Sequence, residues 1–474
     1  MRKNGWFKYV LVLTALTILG GCATYYQKTL KYQQFIYSGE LEKAKKFLDK
    51  NEVKTGKKDR ILYLMNQGWV NWMIDKNTES NKYLEEADLM IEDYRKKFGL
   101  ELATLVSNPS IKPYKPEDFE KVMVNYLKAL NYLNMNEYDE ALVEARRINL
   151  KLQEINDQYK DHKNRYDNDA FAHVMMGLIY DANREYNDAF IAYRNAYNIY
   201  KNDYAENFGV QTPEQLKKDI LRTAYLNRFG EELEFYEKEF GMKYEPKQHT
   251  GGELIFIWHN GFGPVKAEWG INFVKTSSGG GVIVFHNEEL GISFPFFIGD
   301  KPDEEKSAFA QLNFIRVAFP KYVERKPVYT AASVTADGNE YPLQVAEDIN
   351  AIAFKTLYDR MLREMANSLL RLATKKAMEY AVRQENQDAG AALGILNALT
   401  EKADTRNWQT LPYEIRYVRI PLDTGNQTVR LKTFAGSRSE EQNFQFNIQK
   451  GKTYFYTFQS LETQPPQGGY GTFE

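Results

Sequence analysis

Residues 170–200 read AFAHVMMGLIYDANREYNDAFIAYRNAYNIY, and the spacing of small and aromatic residues within them decides how the first half of the chain folds. Measured from Gly177, Tyr180 lies at offset 3, Ala189 at 12, Tyr193 at 16 and Ala196 at 19. Two helices approach closely only where side chains are small, so glycine and alanine at these places mark the crossing points of a helix pair. The aromatic residues fill the space towards the next pair. The stretch therefore predicts a helical hairpin that stacks on others like it.

These are the offsets of a tetratricopeptide repeat, and they recur. A second copy has Ala129, Tyr132, Ala141 and Ala145, and a third has Gly68, Leu84 and Ala87 with Ser80 at the small position between them. Weaker units flank them, one around Gly39 to Ala44 and one at Ala224 followed by Gly230-Glu231-Glu232. The distance is 48 residues from Ala129 to Gly177 and 61 from Gly68 to Ala129, against a contiguous period of about 34. Some helices must therefore be lengthened or separated, and Pro109, Pro113 and Pro116 place a loop between Lys96 and Asp118. The alternative to a solenoid is a generic helical bundle.

At about Gly241 the texture changes to short runs of Val, Ile, Phe and Tyr broken by Gly, Pro, Asn and Asp. Val265, Ala267, Trp269, Ile271 and Phe273 alternate with Lys266, Glu268, Gly270 and Asn272, the period of a half-buried strand. Similar runs at 254–257, 281–285, 292–298, 314–319 and 328–334 suggest a sandwich or open barrel. A helical face then recurs every fourth residue from Ile349 to Ala373, and a shorter helix at about 388–402 with Gly390 and Gly394 packs back on it as an αα-hairpin. Strands return at 413–420 and 428–431, and a last hairpin joins Phe444, Phe446 and Ile448 to Tyr454, Tyr456 and Phe458. The expected fold is α+β and multidomain: a tetratricopeptide-like solenoid over 22–240, a β-sandwich-like domain over 250–460 with a helical insertion at about 347–402, and a flexible tail over 461–474.

The amino terminus says where such a chain resides. Arg2, Lys3 and Lys8 precede an apolar run from Tyr9 to Leu19, too short to span hydrocarbon, and Leu19-Gly20-Gly21 stands before Cys22, the chain's single cysteine. This pattern predicts a lipoprotein signal peptide over 1–21, cleaved before Cys22, whose thiol carries diacylglycerol. Several acyl chains on one residue suffice for stable anchoring. Ala23, where no Asp stands, fits sorting to an outer membrane; the protein is expected to face the periplasm, although the sequence does not settle which face it occupies. No other cysteine exists, so disulfides and cysteine-ligated metals are excluded.

Losing the three basic residues of the signal takes the formal charge from −2 to −5, with no sign dominant, so the sequence offers no basic footprint for nucleic acid. A hydrophobic fraction of 43% and a mean hydropathy of −0.58 describe globular material.

Together the lipobox, the repeats and two motifs resemble a group of bacterial lipoproteins. One motif is Gly252-Glu253-Leu254-Ile255 continuing to Asn260-Gly261-Phe262-Gly263-Pro264-Val265-Lys266; the other, more specific, is Ala403-Asp404-Thr405-Arg406-Asn407-Trp408-Gln409-Thr410-Leu411-Pro412. The resemblance covers nearly the whole mature chain and implies architecture and envelope location, with no activity attached. It also pairs the stretch before Ala403 with a glycine- and alanine-rich segment of that group, although here Glu379, Arg383, Glu385 and Asp388 argue against membrane insertion.

Chemistry is sparse. Of His162, His173, His249, His259 and His286, only His259 and His286, each preceding Asn at a strand end, invite a shared metal, and no third ligand stands at a recognisable spacing. Gly279-Gly280-Gly281 and Gly261-Phe262-Gly263 lead into strands rather than helices, so they read as turns and not as phosphate loops. No nucleophile elbow is present, and the carboxylates of Glu231 to Glu239 read as a solvated helix face. No catalytic residue, metal or cofactor beyond the covalent lipid is expected. In the second motif Asp404 and Arg406 can pair under Trp408 and brace a domain corner, and Arg406 and Trp408 are also possible interaction residues.

The expectation is an envelope scaffold or adaptor whose concave solenoid face, with Tyr138 or Tyr186 as candidate contacts, binds another envelope protein in assembly, export or polymer handling. Two alternatives stand beside it: an enzyme processing envelope glycan or peptide, and a structural subunit of an outer-membrane complex. Oligomeric state and partner identity are not legible.

Overall fold

The computed structural model describes residues 24–467 apart from 53–54, 99–111, 159–165, 247–249, 301–302, 311 and 386–401. The expected signal peptide, Cys22, His162, His249 and nearly all of the second helix of the expected αα-hairpin lie outside the described residues.

Five helical hairpins come first: α1 Tyr25–Tyr37 with α2 Leu41–Asn51, α3 Arg60–Met73 with α4 Asn77–Phe98, α5 Asp118–Asn134 with α6 Tyr138–Gln158, α7 Ala170–Ala182 with α8 Tyr186–Ile199, and α9 Glu214–Leu226 with α10 Gly230–Phe240. The first helix is started by a capping box in which Thr24 and Gln27 exchange hydrogen bonds, and α7 is capped by Asp169, whose carboxylate accepts the Ala172 N–H at 2.7 Å. All five hairpins turn in the same way. One residue in the left-handed region, Gly39, Asp75, Asn136, Arg184 or Arg228, sits two places before the second helix. The next N–H then reaches back five residues, as Glu185 does to the Tyr180 carbonyl at 2.9 Å and Lys76 to Asn71 at 2.9 Å. Glycine fills that position only in the first hairpin, which is why the turns leave little trace in the sequence.

The small residues stand where the helices cross. A Cβ on Gly177 would lie 2.3 Å from the Tyr193 ring, and one on Gly68 would lie 2.4 Å from Leu84. Ala87, Ala129, Ala141, Ala145, Ala189 and Ala196 are buried, and the buried Ser80 hydroxyl donates to the Gly68 carbonyl at 2.7 Å.

Eleven strands follow, β1 Gly252–Asn260, β2 Val265–Gly279, β3 Val282–Asn287, β4 Ile292–Phe297, β5 Phe314–Val323, β6 Ala331–Ala336, β7 Asn339–Asp348, β8 Glu414–Leu422, β9 Gly425–Ala435, β10 Arg438–Ile448 and β11 Thr453–Ser460, with helices α11 Asp303–Ala310 and α12 Ile349–Glu385 between them. They form a seven-stranded sheet, β10-β9-β6-β7-β8-β1-β11, and a four-stranded sheet, β4-β3-β2-β5. No described helix is long and apolar enough to cross a membrane.

Of the sandwich and open-barrel alternatives the large sheet takes a curled form, and the expected closing hairpin is corrected. The smaller apolar cluster, with Phe256, Trp258, Val334, Ile420 and Leu431, is enclosed by the seven-stranded sheet with Tyr329, and not between two sheets as in a sandwich. The large sheet curls until rings on its opposite edges meet, Phe444 lying 5.0 Å from Tyr456 and 5.5 Å from Phe458. The last two strands also make no hairpin: β10 pairs with β9, while β11 pairs in parallel with β1. A parallel neighbour needs no tight turn, so the Gln449–Lys452 link only carries the chain across.

Strand β1, second from one edge of the large sheet, is buried on both faces. Leu254, Phe256 and Trp258 point into the curled sheet, while Ile255 and Ile257 join the larger cluster, which also holds Trp69, Tyr126, Phe171 and Tyr193 of the helices. The helical and β regions thus share one core.

Candidate functional site

The inner row of helices, α3, α5 and α7, lines the face expected to receive a partner. That face is already covered. Every residue of α3 from Ile61 to Trp72 is buried, because the seven-stranded sheet lies against it. Trp69 donates its indole N–H to Gln459 at 3.2 Å, Tyr126 bonds the His259 ring at 2.8 Å, and the Tyr200 hydroxyl donates to the Ala346 carbonyl at 2.7 Å.

Strand β8 supplies the main polar latch. Alternation turns Ile415, Tyr417 and Arg419 towards the helices and Val418, Ile420 and Leu422 into the curled sheet. The Arg419 guanidinium donates to Asp219 at 2.8 Å, Asp181 at 2.7 Å and Glu253 at 2.5 Å, and to the Tyr193 hydroxyl at 3.0 Å. It thereby joins α7, α8 and α9 to β1 and β8. Burial works against the charge, but Asp219 and Glu253 overcome it and hold the guanidinium firmly protonated. A buried ion of this kind is tolerable only with all its partners present.

The Ala403–Pro412 motif forms a second latch. Arg406 donates to Asp404 at 2.8 and 2.7 Å, to Asp59 at 2.9 Å and to the carbonyls of Lys58 at 2.8 Å and Lys112 at 3.0 Å. Trp408 is 2% exposed, and its backbone N–H donates to Glu120 at 2.6 Å. Burial, with the nearby Glu117 charge, pushes the Glu120 carboxyl up to about 6. Burial also acts on Glu117, yet Arg360 and Lys266 outweigh it and hold that carboxyl well below its usual range. Arg406 and Trp408, read as possible interaction residues, are therefore enclosed by the chain itself, where they tie the motif to the second and third hairpins.

One of the two candidate contact residues is engaged in the same way. Tyr138 donates to the Thr453 carbonyl at 3.0 Å and packs on Phe455, so it belongs to the internal interface, while Tyr186 is half-buried. His259 and His286 lie in different sheets. Burial pushes the His259 imidazole down to about 3, leaving it neutral, and His286 contacts Ser293 at 2.9 Å.

Beneath the sheet, burial and the neighbouring Asp169 charge push the Glu347 carboxyl well up, and Tyr204 bonds it at 3.3 Å. Burial also raises Asp348 to about 7, although its carboxylate caps α12 by accepting the Ala351 N–H at 2.7 Å. Sequence reasoning missed Arg419, Asp181, Asp219 and Glu347. The one legible signal was Arg419 between Val418 and Ile420 in the apolar second half of its strand.

The solvent side of the solenoid offers a different opening. A pocket of about 480 Å³ lies between the outer helices α4 and α6, with α5 as its floor. Thr78, Asn81, Lys82 and Glu85 line one wall at helical spacing, Glu140, Val143, Glu144 and Arg147 the other, and Lys128 and Tyr132 the floor. One end is closed by ion pairs: the buried Lys128 ammonium bonds Glu85 and lies 3.0 Å from Glu144, which Arg147 bonds at 2.9 Å. Lys82 and Glu140 are exposed at the pocket's rim, and the buried Asn81 Nδ2 has no hydrogen-bond partner among the described residues. Tyr132, read from the sequence as a packing residue, is half-buried in that floor, whereas Tyr180 is buried under Arg146.

The chain matches no known protein family and no curated protein. Among solved structures it is similar to the apo form of RapI, at 16% identity over 45% of this chain and 68% of that one, with a TM-score of 0.33. A crystal structure of MamA shares 14% identity over 46% of this chain and 94% of that one, TM-score 0.29. The Rap conjugation gene regulator of plasmid pLS20, solved with the Phr* peptide, shares 14% identity over 46% of this chain, which spans about half (52%) of that one, TM-score 0.26. Likenesses at this level assign neither a fold nor a partner.

Proposed function

We propose that the chain is an envelope lipoprotein, held at the outer membrane by acyl chains on Cys22 and facing the periplasm, that acts as an adaptor for another envelope protein. The concave solenoid face is committed to the chain's own sheet, so the partner docks on the outer helices. The observation that supports this is the groove between α4 and α6, lined by the exposed Lys82 on one wall and the exposed Glu140 on the other, with Tyr132 in its floor. Exposed charges of opposite sign at the rim of a pocket favour a complementary, oppositely ordered pair on a partner.

The test is capture from envelope extracts by the mature chain, alongside a Lys82→Glu, Glu140→Lys double variant. The adaptor reading expects captured proteins to be lost with the variant; an unchanged set places the docking surface elsewhere. Separately, in high salt, which screens any surface charge contact, Cys22→Ser moves the protein to the soluble fraction if the lipid is the anchor.

A further inference from the structure

Cys22 lies two residues before Thr24, so an extended tether between them spans at most about 7 Å. Thr24 is not free to swing. It is 8% exposed, its N–H donates to Gln27 at 2.7 Å, and the next N–H, of Tyr25, donates to the Thr405 hydroxyl at 3.0 Å. A lipid on Cys22 therefore presses one fixed face of the molecule against the bilayer, without the long linker that would let the body tumble.

The backbone around that point is drawn together by Arg406, which binds the Lys58 carbonyl at 2.8 Å and the Lys112 carbonyl at 3.0 Å one residue beyond Thr405. Lys28 follows Thr24 by one helical turn, its N–H donating to the Thr24 carbonyl at 3.1 Å. These bonds bring together the chain segments that carry Lys28, Lys57 and Lys58, which are exposed, and Lys112 and Lys402, which are half-exposed. Among the described residues, Asp59 and Asp404 share the Arg406 guanidinium and Glu268 accepts the Ala403 N–H at 2.9 Å.

We propose that this basic face around Thr24 is a membrane-contact surface that binds anionic phospholipid headgroups. A cluster of lysines held at a bilayer adds a second attachment to the acyl chains, each lysine contributing where it lies within a Debye length of the surface. The orientation rests on lipidation of Cys22, but headgroup binding by the folded body does not, so the two are tested apart.

The experiment uses the full mature chain with Cys22→Ser, unlipidated, sedimented with vesicles of phosphatidylcholine alone or phosphatidylcholine containing phosphatidylglycerol. Binding to the anionic vesicles is expected to exceed binding to the neutral ones by about tenfold or more and to fall with added salt. Lys57→Glu with Lys58→Glu lowers it about tenfold, whereas Lys238→Glu, an exposed reversal on α10, leaves it unchanged. Equal binding to both vesicles, or equal losses from the two sets of reversals, overturns the proposal. Failure of lipidation would appear instead as an unmodified amino terminus in the mass spectrum of the wild-type protein, and would leave the vesicle result standing.

Discussion

The inner and outer helices of the solenoid differ in what surrounds them. In α3 the buried residues run without a break from Ile61 to Trp72, and α5 and α7 are almost as enclosed. The outer row keeps one side wet: Leu89 on α4, Val143 and Leu150 on α6 and Ile191 on α8 are all exposed. The difference teaches that the concavity is a cradle for the protein's own sheet. An inner helix flanked by neighbours and covered by strands has no polar face left, whereas an outer helix keeps its ordinary amphipathic pattern.

The largest expected effect comes from breaking the latch across that boundary. Arg419→Ala leaves Asp181 and Asp219 buried beside no cation, apart from the Arg222 pair at Asp181, and should lower the unfolding free energy by about 3–5 kcal/mol in denaturant titrations. A loss under about 1 kcal/mol would mean the sheet is not held through β8.

Next comes crowding within a hairpin. Gly177→Ala forces a methyl group onto the Tyr193 ring and should cost about 1–3 kcal/mol, while Gly56→Ala, with nothing within 4 Å of the new atom, should be near neutral. Equal thermal shifts for the two would break the claim that Gly177 marks a helix crossing.

A smaller effect sharpens the comparison through pH. Burial raises Asp348 to about 7, so its contribution to stability is fully present below the unfolded value of about 4 and is lost as pH rises through about 7. Asp348→Asn keeps a residue able to cap α12 but removes the charge. The variant should match wild type near pH 4 and exceed it by on the order of 2 kcal/mol at pH 8, read from unfolding midpoints. Glu347, raised for the same reason, acts in the same direction. A variant less stable than wild type at pH 8 would contradict this. The smallest change, Tyr138→Phe, removes only the bond to the Thr453 carbonyl and should cost about 1 kcal/mol, measured by the same titrations.

Much of this was legible in the residues. Small residues at repeat offsets located the three central hairpins, since close helix crossing leaves no other choice at Gly68 and Gly177. The Gly39 and Ala224 traces located the outer two. Strand β7 escaped because Pro342 argues against an interior strand, yet it sits opposite Ser333 between β6 and β8. The β10 and β11 partners escaped because alternation fixes which face a residue takes, but not which edge a strand joins. The site was the least legible part. Arg406 and Trp408 carry the same chemistry inside a protein as on its surface, and only the fold shows that Asp59, Glu120 and the Lys58 and Lys112 carbonyls meet them.

The seven-stranded sheet occupies the solenoid's inner face. Amide hydrogen exchange on the intact mature chain, resolved by peptide, tests this placement most directly. Peptides of α3, α5 and α7 are expected to exchange far more slowly than those of α4, α6 and α8, with protection near that of strands β1 and β8. Inner helices that exchange as fast as the outer ones would show the face open to solvent and contradict the account.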